Sequence, residues 1–381
     1  MNRMIFSGLA TAALLALSWP AWSQQEPLRV GAILALSGPA SVYGGPAEKG
    51  LKVMLDQLPG KTLAGHPVEL TIFDTEGNST KAVQLFRRLV DNNEVHVIVG
   101  PSTSGESLAI VPVANQLQVS VISNGGAEQI TQPVTPYVFG MAPTDRLMVE
   151  LTLDTLVKRN QKKVALIHSQ DGFGQSGGGI VQAQAPKFGI DLVAVETFSP
   201  QDTNMTPQLL RVRDNNPDAI VIWASNPGPT IVLKNAAEMN LRKPTYVSYG
   251  NATMSFISQT GAAAEGVYCG ALPIVGPESL PANDPRRAPM LAFDQAYRKQ
   301  FNQAPDMTSG HGLDDFIILE AALKAIKGPL TRDNLRSALE TVQMCGANGC
   351  RQVTPSDHRG LTKDAAVLMQ VRNGKWEAVQ P

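Results

Sequence analysis

From residue 28 onward the chain alternates between two hydrophobic patterns. Short runs rich in Val, Ile and Leu recur at 28–34, 68–74, 95–99, 119–123, 164–168, 192–198, 219–223, 245–248 and 266–271. Runs of this length and branching read as mostly buried strands. Between them the apolar positions follow a helical period. At 81–91, Ala82, Leu85, Phe86 and Leu89 share one face, and 145–158 repeats the arrangement with Leu147, Leu151, Leu156 and Val157. Strands alternating with helices predict βαβ units and parallel sheets. About ten strands exceed one small sheet, so the pattern predicts two α/β lobes, one sheet running from 28 to about 139 and a second from 164 to about 271. The Pro- and Gly-rich segment 273–289 reads as a crossing linker. Helices at 288–301, 312–326 and 332–342 have no strands between them and are expected to cover the first lobe. The tail, with Asn373-Gly374 between apolar runs, carries a hairpin signal.

The first 23 residues break the pattern. Arg3 supplies a positive start, 5–17 is a short, mostly apolar stretch without acids, and Ala21-Trp22-Ser23 is a small-x-small cleavage site. This is the layout of a secretory signal peptide at 1–23, and it places the mature chain in the periplasm. No later apolar run approaches the roughly 18 residues of a bilayer span, so no membrane insertion is expected after cleavage. The 32 basic and 33 acidic residues among 381 leave a net charge of −1, which argues against nucleic acid as a partner. Export makes disulfides permissible. Cys345 and Cys350 close a short Gly-containing loop and form the candidate bridge, while Cys269 lies in an apolar run and reads as a buried thiol. One Cys pair without a nearby His pair is not a metal framework, so neither metal nor cofactor is expected.

In open α/β sheets ligands bind beyond the carboxyl ends of the strands. In the first lobe those exits hold Ser37-Gly38-Pro39 with Tyr43-Gly44, then Ser102-Thr103-Ser104-Gly105, then Asn124-Gly125-Gly126-Ala127. All are small, polar and Gly-rich ahead of helices, where amides and hydroxyls attract anions. Second-lobe exits add Phe173, Asn226 and Tyr249. Facing polar and aromatic rims predict a cleft that closes on a small ligand. Other motifs fit bland roles better. Gly172-Phe173-Gly174-Gln175-Ser176-Gly177 matches a dinucleotide fingerprint but lacks a convincing acid after the next strand, with Glu196 nearest. His311, between Gly310 and Gly312, reads as a loop or capping histidine, and Asp314-Asp315 as acids serving a helix start. No nucleophile elbow or metal-binding histidine spacing exists, and no acid, base and nucleophile assemble, so the chain is not read as an enzyme.

The ordered series Leu36-Ser37-Gly38-Pro39, Val99-Gly100-Pro101-Ser102, Ala142-Pro143-Thr144-Asp145, Asp171-Gly172-Phe173-Gly174 and Ala264-Glu265-Gly266-Val267 resembles type I periplasmic solute-binding proteins, and most of all those serving branched-chain amino acid ABC transporters. The resemblance runs from Leu28 to about Trp376. It implies two Rossmann-like lobes joined by three hinge strands, expected here as 24–143 plus 273–352 and 144–272 plus 353–381. It also implies a monomer that presents its closed form to a membrane permease. Position by position, Ser104 resembles the serine that binds the ligand carboxylate and Gly125 the backbone beside it. Tyr43 matches the aromatic of the first loop, and Phe173 the second-lobe aromatic that closes over the ligand. Two positions depart from the pattern. Ala127 stands where the family has a Thr, and Tyr249 stands where it has the acid that pairs the α-ammonium. An unpaired buried ammonium costs roughly 3–5 kcal/mol. The expected ligand is therefore a small carboxylate without an amine, unless Asp145 or Asp171 supplies a relocated partner. A sensor domain with the same fold and no transport is the alternative reading.

Overall fold

A computed structural model describes residues 25–362 and 365–380. The expected signal peptide lies outside them. The first sheet has the order β2-β3-β1-β4-β5-β6, from β1 (Leu28–Leu34), β2 (Thr62–Leu63), β3 (His66–Asp74), β4 (Val97–Val99), β5 (Ser120–Ser123) and β6 (Val138–Gly140). All its pairings are parallel except β2 with β3, with Leu28 opposite Val68 and Val30 opposite Val97. Helices α1 (Ser41–Gln57), α2 (Ser79–Asn92) and α3 (Ser104–Leu117) are its crossovers. They cover both faces, which is why β1 reads as continuous rather than alternating apolar sequence: Leu28, Val30, Ala32, Ile33 and Leu34 are all buried.

The chain crosses after β6 to α4 (Asp145–Lys158) and builds the second sheet. Its strands are β7 (Lys163–Ser169), β8 (Asp191–Phe198), β9 (Ala219–Trp223), β10 (Thr245–Val247) and β11 (Tyr268–Ala271), connected by α5 (Gly172–Gln184), α6 (Thr206–Asp214), α7 (Gly228–Glu238) and α8 (Met254–Thr260). After β11 the chain crosses back. Helices α9 (Arg287–Phe301), α10 (Met307–Ala325) and α11 (Arg332–Leu339) follow, and Phe316, Leu319, Leu323, Leu335 and Leu339 join the core of the first lobe. A small hairpin, β12 (Gln343–Gly346) with β13 (Gly349–Gln352), holds a Cys345–Cys350 disulfide. Val353 packs in the first-lobe core, and His358 beyond it still stacks on Phe139 of β6. A third crossing delivers β14 (Val367–Arg372) antiparallel to β11 and β15 (Lys375–Ala378) at the edge of the second sheet.

One helix crossing positions the site. A Cβ on Gly50 of α1 would collide with the Ser309 carbonyl of α10, and one on Gly312 would collide with the Gly50–Leu51 backbone. Reciprocal glycines therefore bring the two backbones into contact, which larger residues would prevent. Helix α10 begins at Met307, earlier than the hydrophobic period suggests, because Asp306 caps it by accepting from the Ser309 amide at 2.9 Å. Asp314 and Asp315 consequently lie inside the helix and are buried, rather than serving its start.

Candidate functional site

The strand exits of both sheets face each other across a narrow cleft. The first lobe lines it with Tyr43, Ala47, Ser102, Thr103, Ser104, Asn124, Gly125 and Gly126, and α10 adds Met307, Thr308 and His311. The second lobe contributes Phe173, Ser225, Tyr249 and Gly250. Two hydrogen bonds tie the lobes together over this space. The Asn226 amide donates to Tyr43 Oη at 2.8 Å, and the Glu128 amide donates to Ser176 Oγ at 3.1 Å. The cleft is closed.

Ser104 is the first residue of α3, and its Oγ accepts from the amides of Gly126 and Ala127, both at 3.0 Å. A hydroxyl has two lone pairs and one proton. With both lone pairs occupied, Ser104 is left as a donor, which suits a carboxylate. Ser102 Oγ likewise accepts from the Ala35 amide at 3.1 Å and keeps its proton. Three expected contributions change. The Gly125 amide donates to Ser123 Oγ at 3.0 Å, so it does not reach for a ligand. Ala127 does not line the space, and its role is the amide it gives to Ser104. Thr103 is committed to capping α3: its hydroxyl donates to Glu106 Oε2 at 2.7 Å, and the Glu106 amide returns the bond. The capped N-terminus of α3 still carries partial positive charge at the cleft.

Asn226 is also corrected. Its Nδ2 donates to Gln259 and its Oδ1 accepts from Thr230, so only its backbone amide serves the cleft, through Tyr43. Burial pushes the Tyr43 phenol up to about 12, which keeps its proton in place. Phe173 and Tyr249 pack edge to face at 5.4 Å between centroids, and Trp223 lies 6.1 Å from Tyr249. This aromatic wall presses on the first lobe. A Cβ on Gly126 would run into Tyr249 Oη, so the glycine is required by the close approach.

Behind the cleft stand two charged groups that the hydrophobic pattern does not mark. Arg359 is buried, and its Nη2 donates to the carbonyls of Gly125 and Ala127 at 3.1 and 2.9 Å, while Nη1 donates to the Ala142 carbonyl at 2.8 Å. It thus joins the 125–127 loop to the first crossing segment and puts a positive charge beneath the anion-facing wall. Arg351 grips the same segment through the Gly140 and Met141 carbonyls at 2.9 and 2.6 Å. Asp145 opens α4, fully buried, and its Oδ1 lies 3.3 Å from Tyr249 Oη. Burial drives its carboxyl up to about 7, against the donors around it and the Arg359 charge. Asp171, the other acid considered, caps α5 by accepting from the Gly174 amide at 2.8 Å. His311 is neither a loop nor a capping residue: it lies in the second turn of α10, 1% exposed, and lines the cleft. Apart from His311, none of the lining residues is acidic or basic. Among the described residues no His, Cys, Asp or Glu cluster fits a metal ion, and no helix is long and apolar enough to cross a membrane.

Comparison with known proteins agrees with this architecture. The periplasmic binding protein family matches residues 27–375. A Leu/Ile/Val-binding protein homologue of Brucella melitensis is 23% identical over 98% of this chain and 95% of its own. Among solved structures, an extracellular ligand-binding receptor from Rhodopseudomonas palustris HaA2 superposes with a TM-score of 0.87 at 28% identity, covering 93% of this chain and all of that one. A solute-binding protein of an ABC transporter from Rhodopseudomonas palustris BisB5, in complex with 3,4-dihydroxybenzoic acid, gives a TM-score of 0.80 at 22% identity over 93% of this chain and 96% of that one. The chain belongs to the type I periplasmic binding protein family.

Proposed function

We propose that this protein is the extracytoplasmic solute-binding component of an ABC importer and that it captures a small carboxylate lacking an amine. The observation that carries the reading is the donor-rich, acid-free lining of the cleft. Ser104 and Ser102 present hydroxyl protons beside a helix N-terminus with the Arg359 guanidinium behind it. In a closed, dry cleft each charge-assisted hydrogen bond contributes about 1.5–3 kcal/mol. The Ser104 and Ser102 bonds, less ordering costs, leave apolar burial against the aromatic wall to supply the rest of the about −8 kcal/mol of micromolar binding. An ammonium has no counterpart among the lining residues. The nearest acid, Asp145, lies behind the Tyr249 phenol. The aromatic wall of Phe173, Tyr249 and Trp223 favours a flat or branched apolar body, and an aromatic acid is what the BisB5 relative holds.

On this reading the cycle is capture, closure and handover of unaltered solute to a permease. Calorimetric titration with leucine, benzoate and pentanoate tests the reading. The acids should bind at micromolar strength and leucine at least a hundredfold more weakly. Micromolar leucine binding would end the amine-free assignment.

A further inference from the structure

His311 has a proton to give and, among the described residues, no protein group to receive it. On the far side of its ring, Asn348 Nδ2 lies 3.0 Å from Nδ1 and 3.4 Å from the Met307 carbonyl. The carbonyl can only accept, which fixes the amide nitrogen of Asn348 on that side, and the nitrogen then donates to Nδ1. The single ring proton therefore sits on Nε2. Burial, reinforced by the charges of Arg351 and Arg359, holds the imidazole down to about 3, so it is a neutral donor across the working range. Among the described residues nothing accepts from Nε2, although the side chain is buried and belongs to the cleft wall.

The ring is also held in register. The Asp314 carboxylate accepts from the amides of Ala347 and Asn348 at 2.5 and 2.9 Å, fixing the tip of the disulfide hairpin against α10. Asn348 at that tip orients His311. An orienting group, a fixed tautomer and an open donor together make a recognition element. The neighbouring cleft residue Thr308 has its hydroxyl donated to Asp306, so it does not duplicate the function.

We infer that His311 is a specificity-determining residue: its Nε2–H donates to a second oxygen of the solute, a hydroxyl, ether or oxo group remote from the carboxylate held at Ser104. This rests on the carboxylate reading above and narrows it to acids that carry an additional acceptor. It also disfavours an ammonium at this end of the cleft, since an N–H cannot donate to another N–H and the charges of Arg351 and Arg359 act on the ring.

The test pairs acids that differ by that oxygen: benzoate against meta- and para-hydroxybenzoate, and pentanoate against levulinate, titrated into the intact protein, His311→Leu and His311→Gln. At least one oxygenated acid should bind the native protein about tenfold or more tighter than its partner. His311→Leu should erase that gap, and benzoate or pentanoate binding that persists in it shows that the variant is folded. His311→Gln, which keeps a donor, should restore part of the gap. Equal affinity within each pair for the native protein, or a gap that survives in His311→Leu, overturns the role of His311 and leaves the carboxylate reading intact. Failure of every acid to bind overturns both.

Discussion

The phenol of Tyr249 stands 3.3 Å from Asp145 Oδ1 and equally far from the Pro143 carbonyl. One proton faces two acceptors, and neither distance is short. Asp145 Oδ2 is buried and, among the described residues, has no partner at hydrogen-bond geometry, the Ser176 and Trp223 donors near the carboxyl being only loosely placed. A carboxylate so poorly provided with donors is costly when charged, which is why its carboxyl is raised to about 7 from an ordinary value of 3.8. Where the family pattern has an acid that neutralises an ammonium, this chain has a phenol held by an acid that resists ionisation.

That shift has a consequence for stability. The folded protein binds the Asp145 proton more tightly than the unfolded chain does, so this group favours folding most at low pH. Its contribution is complete below about pH 4 and is lost as pH rises towards and through about 7. Asp145→Asn mimics the protonated acid at every pH. It should be more stable than the native protein by about 1–4 kcal/mol at pH 8, with the advantage vanishing near pH 4. Urea unfolding of both proteins at the two pH values measures it. An advantage that is equal at both would mean that Asp145 is not the titrating group.

Ser104→Ala removes the donor to the carboxylate and also strands the Gly126 and Ala127 amides that Ser104 Oγ now accepts. Both losses fall on the same loop. Affinity for every acid that binds should drop by about tenfold to a hundredfold, regardless of what the rest of the acid carries. This uniform loss is the counterpart of the selective loss expected at His311. Titration of the same acid series separates them, and unchanged affinity would remove Ser104 from the site.

How much of this was readable from sequence depends on the range of the interactions. Strands and helices declare themselves through neighbours two or four positions away, so both sheets, the closing helices and the tail hairpin followed from periodicity. The polar strand exits followed too, because topology alone sends them to one edge, and Ser104, Tyr43, Phe173 and Tyr249 do line the cleft. What failed was the division of labour among small polar residues. Whether Thr103 caps a helix or meets a ligand turns on one rotamer, and Asn226 turned its amide towards Gln259 and Thr230 instead of the cleft. Arg359 was invisible for another reason. Its partners Gly125 and Ala127 lie 234 and 232 positions away, and a lone arginine after a turn reads as a surface charge. The position of His311 depended on where α10 begins, and the cap at Asp306 moved that start ahead of the apolar period.

Tyr43 and Asn226 belong to different lobes, and the bond between them exists only while the cleft is shut. Tyr43→Phe keeps the ring and leaves the Asn226 amide without its acceptor. The closed state should lose about 0.5–1.5 kcal/mol relative to the open one. Bound acid should then dissociate about two- to tenfold faster while its association rate stays close to native, which stopped-flow competition can follow. An altered association rate with unchanged release would place Tyr43 at the encounter step instead of the latch.

The disulfide enters the site through three contacts. Cys345 and Cys350 are directly opposed in the β12–β13 ladder, the hairpin tip between them carries Asn348, and Asn348 fixes the tautomer of His311. The hairpin's link to Ser104 is more indirect: it leaves from Arg351 on β13, not from the tip, and runs through Arg359 and the 125–127 loop. Replacing both cysteines with serine should therefore leave the affinity for benzoate or pentanoate within about threefold. It should shrink the preference for the oxygenated partner of each pair, because a looser tip lets the His311 ring turn and lose its donor direction. The bond spans only five positions, so the loss in global stability should be modest, at about 2 kcal/mol. Thermal unfolding together with the paired titrations distinguishes the two effects. A preference that persists at full size without the bridge would show that Asp314, which grips the amides of Ala347 and Asn348, holds the tip in place unaided.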